Sequence, residues 1–252
     1  VKWLTLLMVA QRLGSRPLHT LTHLDLLQAG LLVLFPMLLV LAQPDTGVML
    51  TYTPIFALLP LIRGIRFRWV ALALLLGATG SGLAWRYYLK DYQKERILTF
   101  LDPERDPKGK GYQVRQSRIA VGAGGLTGQG FTRGTQTQLN LLPVKTTDFA
   151  FSAWAEERGF LGVFAAFALF GLLLRRILQI AGEARTAAGA YFAFGCACIF
   201  GFHILINTGM VVGALPTTGI PLPFFTYGGS STLAFFLALG VVLNIRQHAK
   251  VR

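Results

Sequence analysis

Long apolar stretches separated by short polar or basic segments make up most of this chain. The apolar runs cover residues 1–13, 24–42, 48–62, 69–88, 149–174, 187–209 and 224–245. Most of them approach the ~20 residues that an α-helix needs to cross a bilayer. The pattern therefore predicts an all-α polytopic membrane protein with about seven transmembrane helices in this chain.

Composition supports the membrane class and narrows the partners. Hydrophobic residues make up 53% of the chain and charged residues 14%, and the mean hydropathy of +0.53 is far outside the soluble range. The formal net charge of +13 comes from short basic runs between apolar segments, and no nucleic-acid motif is present. We therefore expect lipid headgroups and phosphate-bearing lipids as partners. Cys196 and Cys198 lie two apart in an apolar run, which favours core packing over a disulfide or metal site.

The short connections between the apolar runs predict the orientation. Alternating crossings place residues 14–23, 63–68, 175–186 and 246–252 on one side, and all four segments are basic. The positive-inside rule makes that side cytoplasmic. Residues 89–147, between the fourth and fifth runs, then form a large extracytoplasmic loop within a single membrane domain of residues 1–252. This loop is too long for a passive connection.

Acidic residues concentrate where this loop meets the fifth run. Eight of the eleven acidic side chains lie in the loop or just beyond it. Thr146, Thr147 and Asp148 are good N-cap residues, so the Asp148 carboxylate is expected at the positive end of a new helix, which favours its ionised form. Asp148 has three interpretations: helix cap, structural ion-pair partner or catalytic base. The local sequence by itself favours the cap.

A helix starting here would carry a stripe of small and acidic groups. Ser152, Ala155 and Gly159 follow Asp148 along one face, with Glu156 beside it, which predicts room for a polar group to approach. A base that takes a proton from a sugar hydroxyl must be ionised and within hydrogen-bond reach. Asp148 and Glu156 also offer oxygen ligands for a divalent cation, but two carboxylates are too few to predict a metal site.

The loop contains a glycine-rich stretch, Gly122–Gly130. Such backbone could cradle phosphate, but it lacks the ending of a P-loop and follows no strand. A flexible or re-entrant turn is therefore the favoured interpretation. Basic neighbours that could hold an anionic pyrophosphate are Arg115, Arg118, Arg133 and Lys145.

One irregular stretch predicts a polar cavity at membrane depth, and three polar side chains lie within apolar runs. Residues Pro216–Ser231 combine three prolines and three glycines with apolar residues, and irregular backbone is tolerated there only when it is buried or lines a cavity. The alternative is a tight connection between two helices. His203 and Asn207, four apart, favour an interhelical hydrogen bond over a proton relay. Lys2 is open to two interpretations: pairing inside the protein, or snorkelling to the surface.

Several motifs together resemble the SEDS family. They are Gln43-Pro-Asp, Tyr92-Gln-x-x-Arg-Ile, the stretch from Phe100 to Ser117, Gly130 to Gln136, Thr147-Asp-Phe, Ala155-Glu-Glu-x-Gly-Phe160 and Pro216 to Ser231. The resemblance covers residues 1–245 and is closer to the elongation branch of the family than to its division branch. The family has ten spans, so we expect that this chain lacks the first three, and Lys2 matches a lysine of the fourth.

The resemblance implies a peptidoglycan glycosyltransferase of the bacterial cytoplasmic membrane. Such an enzyme polymerises lipid II on the outer face during cell elongation, with a class B penicillin-binding protein as partner. By the same resemblance Asp148 is the catalytic residue, activating the acceptor sugar hydroxyl, and no metal site or other cofactor is predicted, although a divalent cation stays open. The predicted substrate-binding residues are Lys2, Arg96, Gln116, Ser117, Lys145, Glu156, Ser230 and Ser231.

Two other functions are compatible with these residues. A transporter that flips the lipid-linked precursor would also need broken helices and a central polar cavity. Inverted internal repeats would favour transport, and the spans show none. A purely scaffolding membrane partner is disfavoured by the acidic cluster at the outer boundary.

Overall fold

The computed structural model describes residues 1–15, 22–43, 46–55, 109–139, 141–142 and 147–250, together with 94, 98–100, 102 and 106. The regular secondary structure of these residues is all helical, and they contain no strand. The helices are α1 (Lys2–Gly14), α2 (His23–Ala42), α3 (Thr46–Leu50), α4 (Lys110–Ala123), α5 (Thr135–Gln138), α6 (Ala150–Glu183), α7 (Ala187–Val211) and α8 (Gly229–Lys250). The predicted all-α class is confirmed.

Three of these helices are long and apolar enough to cross a membrane: α6, α7 and residues Gly229–Ala249 of α8. Helix α2 contains a shorter apolar stretch, Leu24–Val40. Helix α7 is the most buried of the three long helices, whereas α6 and α8 expose rows of large apolar side chains. Side chains of that kind are stable in contact with lipid, so the protein is a polytopic membrane protein. Residues 56–62 of the predicted run 48–62 and the whole predicted run 69–88 lie outside the described residues.

Helix α7 is the central element of the packing, with α1 on one side and α6 on another. The larger apolar core includes Leu6, Val9 and Leu13 of α1 with Cys196 and Phe200 of α7, all of them almost completely buried. Cys196 is buried within this core, as the prediction of core packing required. A second core lies towards the other end of α7, around Phe149, Phe170 and Met210.

Two predicted boundaries are wrong by a few residues. Helix α6 starts at Ala150 with Phe149 as its N-cap, so Asp148 precedes the cap instead of forming it. Helix α8 starts at Gly229 and not near 224. Phe224 has φ +66°, a left-handed conformation that a helix cannot contain, so the apolar residues before Gly229 belong to irregular backbone.

Candidate active site

Helix α6 is interrupted close to its start, and the interruption organises this end of the protein. Gly159 has φ +64° and ψ −164° within an otherwise helical segment, a combination that is essentially restricted to glycine. A Cβ at this position would overlap the backbone nitrogen of Gly128. The break therefore requires glycine both for its conformation and for the close approach of the loop.

The glycine-rich loop inserts into this break. In an unbroken helix, Glu156 and Glu157 would accept hydrogen bonds from the amides of Phe160 and Leu161. Here the two carbonyls accept from Gln129 (3.0 Å) and Gly130 (3.1 Å), and the two amides donate to Gly125 (2.8 Å) and Leu126 (3.0 Å). The loop thus supplies the backbone partners that the break removes.

This insertion decides between the two interpretations of the loop. The Gln129 and Gly130 amides donate to helix α6, and other loop amides, such as that of Gly128, donate within the loop. The turn is a re-entrant one, as the sequence favoured. It also covers the predicted small-residue stripe: Ser152, Ala155, Glu156 and Gly159 are all buried. The expected room for a polar group is filled by the protein's own backbone.

Glu156 holds the short helix α5 from inside the protein. Its side chain is completely buried, and its Oε1 accepts from the Gln136 amide at 2.7 Å while its Oε2 accepts from the Thr137 amide at 3.1 Å. The hydroxyls of Thr137 and Thr135 donate to the same carboxylate at 2.6 and 3.4 Å. These bonds satisfy a buried charge. The geometry therefore supports a positioning role for this predicted substrate-binding residue.

Ser117 is likewise buried and engaged. Its hydroxyl donates to the carbonyl of Val211 in α7 at 2.7 Å and lies 2.7 Å from the hydroxyl of Ser152 in α6. Because each hydroxyl has a single hydrogen, Ser152 is the donor in the second bond. Ser117 thus joins α4 to α6 and α7 from a position with no solvent exposure, which again supports positioning over direct contact with a substrate.

The irregular segment before α8 is held by the polar face of α7. Asn207 is buried, and its amide nitrogen donates to the carbonyls of Ile220 (2.8 Å) and Asp148 (3.2 Å). Thr226 adds a bond from its hydroxyl to the carbonyl of Thr147 (3.2 Å). The backbone on which Asp148 sits is therefore fixed from α7 and from the irregular segment.

Lys2 enters the same arrangement from α1. Its Nζ lies 2.7 Å from Nε2 of His203, whose Nδ1 lies 2.8 Å from the Pro221 carbonyl. A carbonyl can only accept, so Nδ1 carries the hydrogen and Nε2 offers a lone pair to Lys2. The Lys2 ammonium also lies 5.6 and 5.3 Å from the ring centroids of Trp3 and Phe235. Of the two interpretations of Lys2, the structure has the pairing inside the protein, and the predicted interhelical bonding of His203 is confirmed.

Asp148 itself is half-buried. A Cβ built on Gly219 would lie 3.8 Å from its Oδ2, so the carboxylate faces the irregular segment. Gly219 is exposed and has φ +70°, so this wall carries no side chain. His203 bonds the Pro221 carbonyl and Asn207 bonds the carbonyl of the adjacent Ile220. Since His203 also contacts Lys2 and Asn207 also bonds Asp148, the fold links Lys2 and Asp148, which are 146 residues apart.

A groove starts beside this segment and continues along α8. Its first part, about 540 Å³, is lined by residues of 224–229 together with Thr232, Leu233 and Phe236. A second part of about 490 Å³ shares Leu233 and Phe236 and extends to Asn244. Most of the lining is apolar, and Tyr227 in the first part is highly exposed. This lining is compatible with contact with hydrocarbon.

The remaining predicted site residues are less constrained. Gln116 is half-buried on α4, and Ser230 is exposed at the start of α8. Ser231 donates to the Gly228 carbonyl at 2.9 Å, within the first turn of the same helix. Arg96 and Lys145 lie outside the described residues. No group of three or more His, Cys, Asp or Glu side chains that could hold a metal occurs in the described part of the chain.

Comparison with known proteins identifies the family. Residues 1–251 match the model of the FtsW/RodA/SpoVE family, described as a cell cycle protein. The chain is 41% identical over 225 residues to the peptidoglycan glycosyltransferase MrdB of Escherichia coli (strain K12), which is 88% of this chain and 60% of that protein. It is 38% identical over 237 residues to the probable peptidoglycan glycosyltransferase FtsW of Trichlorobacter lovleyi, covering 91% and 61% of the two chains. This chain belongs to the FtsW/RodA/SpoVE family, as its motifs indicated.

Solved structures share the fold. A chain from a peptidoglycan synthase complex that coordinates polymerization and crosslinking superimposes with a TM-score of 0.83 at 33% identity, covering 100% of this chain and 69% of that chain. RodA of Thermus thermophilus gives a TM-score of 0.65 at 30% identity, covering 100% and 65%. The present chain spans 60% of the length of its Escherichia coli relative.

Proposed function

We propose that this chain forms the catalytic part of a peptidoglycan glycosyltransferase, which polymerises lipid II into glycan strands on the outer face of the bacterial cytoplasmic membrane. The observation that carries the proposal is the setting of Asp148. Its carboxylate is half-buried and faces an exposed glycine, while its backbone is held by α7. Family membership and the names of the relatives support the same reaction class.

Asp148 acts as the base in this proposal. A carboxylate that accepts the proton of an acceptor sugar hydroxyl must be both fixed and reachable. Asn207 donates to the carbonyl of Asp148, and Thr226 donates to the carbonyl of Thr147. The backbone is therefore fixed on both sides of the Asp148 side chain. The bare wall at Gly219 leaves the carboxylate reachable.

Lys2 stabilises the leaving pyrophosphate. Its ammonium donates to the Nε2 lone pair of the neutral His203 imidazole, so this pairing orients the charge without neutralising it. A positive charge held in a partly desolvated site stabilises negative charge that develops as the glycosidic bond breaks. Arginine and lysine residues of the large loop, including Arg96 and Lys145, would complete the anion site, and Gln116, Ser230 and Ser231 would contact the sugar or phosphate groups.

The polyprenyl tail of the substrate lies in the groove along α8. This groove begins next to Thr226, whose hydroxyl bonds the residue before Asp148. A tail held there would bring its pyrophosphate to the mouth of the site. The enzyme works with a class B penicillin-binding protein that crosslinks the product, which agrees with the synthase complex in which a chain of the same fold occurs.

Polymerisation by purified protein tests the reaction. The full-length protein and its penicillin-binding partner would be given lipid II, and glycan strands would be separated by length for wild type, Asp148→Asn and Glu183→Gln. Glu183 is an exposed carboxylate at the far end of α6, the helix that begins just after Asp148. Its variant therefore controls for the loss of a negative charge. We expect no polymer from Asp148→Asn and normal polymer from Glu183→Gln.

Two results would contradict the proposal. Wild-type polymer from a folded Asp148→Asn variant would remove the base. If that variant lost translocation of lipid II in liposomes but kept polymerisation, the transporter hypothesis would be favoured instead.

A further inference from the structure

Arg158 lies between two aromatic rings at the outer end of α6. Its guanidinium carbon is 5.7 Å from the ring centroid of Phe131 and 5.6 Å from that of Trp154. The Trp154 ring is itself fixed, because its Nε1 donates to the Gly162 carbonyl at 3.1 Å. Arg158 and Phe131 are exposed, so this pair of contacts is open to the surroundings.

The turn that carries Phe131 is built to hold this ring outward. Gly130 donates to the carbonyl of Glu157, and the Thr132 amide donates to the Glu157 side chain, both at 3.1 Å. Thr132 has φ +57°, which is a strained conformation for a β-branched residue. The two hydrogen bonds to Glu157 offset this strain. An aromatic ring that is 69% exposed is thus held at a defined position beside Arg158.

The position of Arg158 along α6 matches the outer boundary of the bilayer. Residues 159–174 contain no charged side chain, and Arg175 and Arg176 follow them. At ~1.5 Å per residue this uncharged segment is about 24 Å long. Arg158 at one end and Arg175 and Arg176 at the other can extend their side chains beyond this segment. The distance between their charged groups therefore matches a hydrocarbon core of about 30 Å.

An apolar patch continues from this level towards the membrane. Its large side chains are all exposed: Leu126, Phe160, Leu161 and Phe164. Leu126 comes from the inserted loop and Leu161 from α6, and the Leu161 amide bonds the Leu126 carbonyl. The patch is therefore one surface shared by the loop and the helix. An apolar patch next to an aromatic pair and an arginine is typical of the interface between acyl chains and headgroups.

We propose that Arg158, Phe131 and Trp154 bind the phosphate of an anionic phospholipid of the outer leaflet, with Leu126 and Phe160 packed against its acyl chains. The rings contact the guanidinium, which leaves N–H groups at its edge for two parallel bonds to phosphate oxygens. No carboxylate of the described residues forms an ion pair with Arg158. The bound lipid anchors the inserted loop, and with it the backbone that completes α6.

Lipid retention tests this site without any glycosyl substrate. The full-length protein would be taken from vesicles of phosphatidylglycerol and phosphatidylcholine into detergent, and retained phosphatidylglycerol would be counted by native mass spectrometry. We expect Arg158→Gln to lower retention at the site about five- to tenfold. Arg185→Gln removes the same charge from an exposed position beyond the other end of α6 and is expected to stay within about twofold of wild type.

A nitroxide spin label on Leu126→Cys, with Cys196 and Cys198 replaced by alanine, reports whether the loop lies in the membrane or in water. We expect the label in vesicles to be more accessible to dissolved oxygen than to an aqueous nickel complex. Arg158→Gln is expected to raise its accessibility to the nickel complex. If Arg158→Gln does not fold, Phe131→Leu changes only an exposed side chain, and we expect it to lower retention about two- to threefold.

Three results would overturn the assignment. One is wild-type retention by the folded Arg158 variant or, in its place, by Phe131→Leu. Another is a label at residue 126 that is as accessible to the aqueous nickel complex in vesicles as in detergent. The third is retention of added undecaprenyl pyrophosphate in place of phosphatidylglycerol that is lost in Arg158→Gln, because the surface would then be a substrate subsite. A failure of any kind here leaves the glycosyltransferase proposal untouched, since no sugar transfer is measured.

Discussion

Replacing Asn207 by leucine removes the link between α7 and the backbone of the proposed base. The substitution keeps the volume and the burial of the side chain but deletes both N–H donors. The carbonyls of Ile220 and Asp148 then lose their bonds of 2.8 and 3.2 Å. Because Asp148 and Ile220 belong to different segments, the loss also separates the two walls of the site.

The magnitude follows from the burial of the two carbonyls. Ile220 is almost completely buried, so its unpaired carbonyl costs about 1–3 kcal/mol. Asp148 is half-buried, so water can replace much of its lost bond, and we add about 1 kcal/mol for that bond. Asn207 Oδ1 has no partner among the described residues, and removing this buried acceptor returns part of the cost. We expect a net destabilisation of about 1–3 kcal/mol and a loss of activity of about 10²-fold from a misplaced base.

Thr208→Val is the matched control. Thr208 is the next residue of α7 and is also buried, but its hydroxyl bonds the Ile204 carbonyl of its own helix at 2.7 Å. Removing that bond is expected to cost less than about 1 kcal/mol. Thermal unfolding and polymerisation of lipid II would be measured for both variants. Wild-type polymerisation by a folded Asn207→Leu variant would show that the Asp148 backbone does not depend on α7.

Three further substitutions examine the supporting structure. Glu156→Gln is expected to destabilise the protein by about 2–4 kcal/mol, because four donors lose a charged acceptor. Faster proteolysis at α5 would show this loss, and unchanged proteolysis would contradict the role given to this carboxylate. Gly159→Ala is expected to cost about 3 kcal/mol or more, since its φ/ψ and its contact with Gly128 both exclude a Cβ, and a melting temperature equal to that of wild type would refute the loop insertion. Lys2→Met keeps the length of the side chain and removes its charge. We expect kcat to fall about tenfold or more with a smaller change in KM, and an unchanged kcat would exclude Lys2 from stabilising the leaving group.

The sequence by itself determined the class of the protein and the position of its proposed base. Apolar runs of bilayer length are local properties of the chain, because each span must satisfy its own backbone as a helix. The same reasoning placed Asp148 beside the start of α6, in error by one residue, and identified Pro216–Ser231 as irregular backbone. It also favoured a turn over a phosphate cradle for the glycine-rich loop.

Only the tertiary structure decided which distant groups meet. Helical periodicity places Glu156 on a face, but not the α5 amides that its carboxylate binds. The sequence contained a glycine at 159 and a glycine-rich loop thirty residues earlier, without any local signal that one would complete the other. The pairing of Lys2 with His203 has the same character. Broken backbone and buried charge must find hydrogen-bond partners somewhere in the fold, and packing between segments distant in sequence selects which partners those are.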